Sequence, residues 1–194
     1  DAGGYTVESS FRFRVELDDV PLDADLRAAL TPSAREVFDS FSPTGKVTVR
    51  GRARRNQGVD ALERLTLDIQ LHGASLRYKG FPYELRNIEG EIIVDDANLE
   101  VKRIFATDGP TTVEVHGKIA SITRDADVDL TIDAKRLPLD GRLKAAIGDD
   151  ARKVWDLFSP SGEVDVRWQL RKEAGKEIVH SSRTVICAPG KVTE

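Results

Sequence analysis

The chain is 194 residues long, with 40% hydrophobic residues, 32% charged residues and a net charge of −4. That composition speaks against intrinsic disorder, and a mild negative charge with no basic run or basic–aromatic stripe speaks against a nucleic-acid binder. No apolar stretch approaches the ~20 residues of a membrane span.

In chain order, Phe11, Phe13, Val15 and Leu17 alternate with polar residues, which predicts a half-buried strand. Pro21 ends it, because proline cannot donate to a ladder. Asp23 is placed to cap a helix that breaks in two. Leu26, Ala29 and Leu30 form one stripe of that helix, and Ala34, Val37, Phe38 and Phe41 form the other; Thr31-Pro32 restarts it. Pro43 and Gly45 close the helix, and Val47 and Val49 open the next strand.

A β-meander is expected after that. Leu65, Leu67, Ile69 and Leu71 alternate cleanly, and Leu76 and Tyr78 follow after Gly73. Further strands are expected at Ile88–Val94, Leu99–Phe105, Val113–Ile119 and Val128–Ile132. Turn signals are Gly80, Gly90, Asp95 to Asn98, Asp108-Gly109-Pro110 and Arg124-Asp125. A second helix, again broken, is expected over 140–158, then strands near 162–171 and 177–186.

The second helix matches the first. Val20 to Arg50 aligns without gaps on Leu137 to Arg167, an offset of 117 (137 − 20), with 17 of 31 positions identical. Composition alone gives about one or two. The fold class expected is mainly β with short helices (α+β): an antiparallel, curved meander sheet of 117-residue repeats, each with one broken helix packed on the sheet. Residues 1–136 hold the first unit, with its helix at 23–41 and its meander at 45–136; 137–187 begin a second, and 188–194 form a flexible tail. The absence of Met and the start at Asp1 predict a piece of a longer protein, with any signal peptide or anchor outside it.

The succession of strand, Leu137-Pro-Leu-Asp140, a helix ending Val154-Trp-Asp-Leu-Phe-Ser-Pro-Ser-Gly162, and strand resembles AsmA-like or TamB-like proteins of diderm bacterial envelopes, most of all the long planctomycete-type versions. The stretch from Leu71 through Tyr78-Lys-Gly-Phe-Pro-Tyr83 to Ile92 carries the same resemblance. It implies a periplasmic or envelope protein held to a membrane by a segment absent here. The body of such a protein is an open β-groove that handles phospholipid or other acyl-chain lipids in outer-membrane biogenesis, without catalysis and without a cofactor. Lining positions expected from the alternation are Leu65, Leu67, Ile69, Leu71, Val113, Val115, Leu130 and Ile132. The alternative is a structural or protein-interaction repeat with closed cores and edges open to strand addition or self-association.

No residue constellation points to catalysis or to a metal. His72, His116 and His180 are too far apart for a zinc motif and read as solvent-facing strand residues. Asp127, Asp129 and Asp133 alternate with apolar residues, as a solvated strand face does. Asp95-Asp96-Ala97-Asn98 lacks the Gly and Glu of a calcium loop and reads as a hairpin turn. Ser181 and Ser182 beside His180 do not make a triad, since strand neighbours face opposite ways. The lone Cys187 has no disulfide partner. Phe38 and Trp155, at matching helix positions, are expected to plug one end of the sheet. With 6% aromatics and two tryptophans, a carbohydrate-binding cleft is disfavoured.

Overall fold

The computed structural model describes residues 11–55, 64–121, 126–173 and 179–183. Nine strands form one open antiparallel sheet in strict chain order. They are β1 (Phe11–Pro21), β2 (Thr44–Arg55), β3 (Arg64–Tyr78), β4 (Phe81–Asp95), β5 (Asn98–Asp108), β6 (Thr111–Ala120), β7 (Asp127–Pro138), β8 (Glu163–Lys172) and β9 (Val179–Arg183). The expected mainly β, antiparallel meander with short helices is what forms. Helices α1 (Ala24–Ala29) and α2 (Pro32–Phe41) join β1 to β2, and α3 (Gly141–Ala146) and α4 (Asp149–Phe158) join β7 to β8. Every connection reverses direction, so all odd strands finish at the same end. Both helix pairs therefore lie at that end, together with the β3–β4 and β5–β6 turns.

The helices form where the sequence caps them. Asp23 Oδ1 accepts from the amides of Asp25 and Leu26, and Asp140 Oδ1 accepts from those of Arg142 and Leu143. Thr31 caps α2 with Pro32 at its first position, whereas Gly148 offers α4 no side-chain cap. Asp149 and Asp150 in the first turn of α4 favour its positive end instead. Helices of six residues do not persist alone, and their last carbonyls need donors. Arg35 supplies them to the carbonyls of Arg27, Ala28 and Leu30; Arg152 does the same for Lys144, Ala145 and Ile147. An ion pair, Arg27 with Asp39 and Lys144 with Asp156, ties each short helix to its longer neighbour. Ser42 and Ser159, both left-handed, end α2 and α4.

The strand edges differ from expectation in two places. Gly90 is not a turn: β4 runs straight through it from Phe81 to Asp95. Its φ of +153° accompanies a register shift in which Glu91 faces Arg103 and Ile92 faces Val101, so the extra residue, Lys102, is on β5 and the glycine lets the Arg103 backbone come close. Gly73 (φ +60°) likewise shifts register within a single β3, so Leu65–Leu71 and Leu76–Tyr78 belong to one strand. The Arg124-Asp125 turn, Cys187 and the 188–194 tail lie outside the described residues, as do 177–178 and 184–186 of the last expected strand.

Two buried clusters lie toward the helical end. One holds Ala74, Ile88, Ala106, Val113 and Ala134; the other holds Tyr83, Leu137, Leu143 and Ala146, with Trp155 packed against it.

Candidate functional site: one apolar sheet face

Because alternate residues of a strand share a face, register decides which apolar residues meet. The pairings align three rows across the sheet. The first runs Val47, Leu71, Gly90, Ile104, Val115, Ile132 and Trp168. Beside it runs Val49, Ile69, Ile92, Val101, Gly117, Leu130 and Leu170. Farthest from the helices comes Gly51, Leu67, Val94, Leu99, Ile119 and Val128. All eight expected lining positions thus share one face. Val113 is buried in the cluster around Ile88, with Leu71, Val115 and Ile132 packed against it. Leu65, Leu67, Ile69 and Leu130 lie beyond that cluster and are half-buried. No second sheet covers this face among the described residues.

The helical end is closed by side chains. Leu143 and Ala146 of α3 pack on Tyr83 of β4. Arg142 stands over the Tyr83 ring at 5.5 Å and donates to Asp108 and Asp140. The Asp108 carboxylate, and then that of Asp140, hold the guanidinium above its ordinary pKa. Burial raises the pKa of the Tyr83 phenol, whose oxygen has no hydrogen-bond partner among the described residues. Trp155 packs against this cluster, whereas its counterpart Phe38 lines a cleft of about 490 Å³ with Leu22, Arg27, Asp39 and Lys79. Arg27 and Asp39 form an ion pair there, and Asp23, which caps α1, lines the same cleft.

The opposite face is charged. Cross-strand pairs Glu16–Arg50, Arg103–Glu114, Asp133–Arg167 and Asp129–Arg171 lie along it. Asp129 and Asp133 are therefore ion-paired strand carboxylates. The Asp95–Asn98 turn is tied down as well: Asp95 pairs with Arg64, Asp96 accepts from the Leu65 amide and Asn98 from the Ser121 amide. His72 contacts Thr48 at 3.1 Å and His116 is exposed; the side chain of His180 lies outside the described residues. No group of three or more metal-ligating side chains occurs among the described residues.

Register also brings together arginines that are distant in the sequence, where no basic run occurs. Arg12 stands opposite Arg54 and Arg14 opposite Arg52. The signal was present as the period-2 series Arg50, Arg52, Arg54, which only strand pairing joins to Arg12 and Arg14. The positions 117 residues on carry Asp129 opposite Arg171 and Thr131 opposite Gln169, so the backbone does not require like charges there. Directly opposed like charges destabilise a sheet, and opposed unlike charges stabilise it. Arg12→Asp is expected to raise stability by a few tenths of a kcal/mol, read as a higher urea midpoint of unfolding; a lowered midpoint contradicts this.

No protein-family model, no characterised protein and no solved structure matches the chain.

Proposed function

We propose that the apolar sheet face binds acyl chains, in a non-enzymatic repeat segment of an envelope protein of the AsmA-like or TamB-like kind. The single observation behind this reading is the imbalance between sheet and cover. Three apolar rows cross most of the sheet, while both helix pairs sit at one end. The rows away from the helices hold half-buried Leu67, Ile69, Val94, Leu99 and Leu130, a surface that water wets at a cost. Each methylene that leaves water for such a surface contributes about 0.8 kcal/mol. The lipid class is a phospholipid or fatty acid, and a membrane would be reached through a segment outside this chain.

The repeat belongs to the same proposal. Caps, arginine clamps and helix-linking ion pairs recur 117 positions apart (Arg27 and Lys144, Asp39 and Asp156). So do the bulges Leu17/Val20 and Ala134/Leu137. A sheet built of such units presents an apolar face as long as the array. The second reading, a closed scaffold, draws support from the well-packed cluster around Ile88.

Native mass spectrometry of the protein purified from a bacterial host, followed by lipid extraction, tests the proposal. Bound phospholipid is expected, and Ile69→Asp should abolish it with the circular dichroism spectrum retained. Lipid-free protein that also fails to take up a fluorescent fatty acid would replace the groove by the scaffold.

A further inference from the structure

The two helix pairs are alike in sequence but are covered on opposite sides. In the second pair, Leu143 and Ala146 are 6% and 5% exposed, packed on Tyr83 of β4, a strand well before β7 in the sheet. Their counterparts in the first pair are Leu26, half-buried, and Ala29, exposed. Toward the following strands the situation reverses. The Phe41 ring of α2 stacks on Tyr78 of β3 at 5.0 Å, and the Lys79 amide donates to the Ser40 carbonyl at 2.8 Å. The counterpart of Phe41 is Phe158, which is 73% exposed; beside it Leu157 is 77% and Val154 is 58% exposed. Phe41 under its tyrosine is 40% exposed. A contiguous apolar patch of this kind on a ten-residue helix marks an interaction surface.

The first pair shows what such a patch receives: the tip of a β-hairpin, with an aromatic ring and a free amide one residue on. We propose that Val154, Leu157 and Phe158 dock the tip of a following β-hairpin, of a unit like this one, carrying an aromatic residue in the role of Tyr78. Each helix pair is then a wedge, with α1 or α3 seated on strands that precede it and α2 or α4 on the hairpin that follows. Tyr78 itself is already engaged by Phe41, so the occupant is an additional hairpin rather than the one present here. The inference rests on the repeat reading above and is independent of what the apolar face binds.

The test supplies the hairpin in register. The chain through Arg183 is extended by a second copy of its own residues 67–136, which preserves the 117-residue offset (184 − 67). Amide hydrogen exchange across α4 is compared with and without the extension. Exchange of the α4 amides is expected to slow about tenfold or more in the extended chain. Changing the tyrosine to alanine in the added copy alone should remove that gain. Leu157→Asp should leave the melting temperature of the original chain nearly unchanged and lower that of the extended chain by several degrees. Unchanged α4 exchange overturns the proposal, whether the added strands are protected or not. So does a Leu157→Asp effect of equal size in the two proteins. Fatty-acid uptake measured on the same samples separates the two readings. Protected α4 without uptake removes acyl-chain binding alone, and uptake without α4 protection removes the docking alone.

Discussion

Ile88→Ala is expected to lower stability by about 4 kcal/mol, in the upper part of the range for truncating a buried isoleucine. Ile88 is 0% exposed, and its buried neighbours include Ala74, Ala106 and Ala134. Alanines have no side-chain reach with which to fill the space left behind, so the cavity persists and the lost contacts are not regained. The strands around it are held by backbone ladders on both sides, which prevents collapse by backbone movement. Urea unfolding should show a lower midpoint at unchanged slope. A loss below about 1 kcal/mol would mean that this cluster is loosely packed and not the centre of the fold.

Gly117→Ala is expected to cost about 3 kcal/mol, from backbone strain and overpacking together. Gly117 has a φ of +143°, and a Cβ there would lie 2.1 Å from the Asp129 carbonyl oxygen on the neighbouring strand. That oxygen belongs to the β6–β7 ladder and cannot rotate away without breaking register. Gly90 repeats the arrangement, with φ +153° and 2.2 Å to the Arg103 carbonyl oxygen. Gly141 is the control: nothing lies within 4 Å of a Cβ built there, and it opens α3. Gly141→Ala should therefore be neutral or stabilising by up to about 1 kcal/mol. Equal changes at Gly117 and Gly141 would show that steric contact with the Asp129 carbonyl does not set the cost at Gly117.

Both effects bear on the apolar face. The Ile88 cluster anchors its covered end, and Gly90 and Gly117 occupy places in its rows where side chains are missing. Both glycines stand across from the bulge that β5 carries between Val101 and Ile104, and such a bulge bends its strand and strengthens its twist, which re-aims the rows instead of interrupting them.

What the sequence determined by itself is local. Alternation placed the cores of the strands, and Asp23, Thr31-Pro32 and Asp140 marked the helix starts, because capping and pleating act over a few residues. The self-match at offset 117 is a property of the chain and needed no fold. Only the tertiary structure decided the rest, because it depends on which strands meet. Pairing carried β4 through Gly90, whose sequence context is that of a turn. It opposed Arg12 to Arg54, residues distant along the chain. It buried Leu143 under Tyr83 while leaving its equivalent Leu26 half-covered, although the two helices read alike. Similar local sequence acquires different burial when the strands on either side differ, since solvent exposure belongs to the neighbourhood and not to the residue.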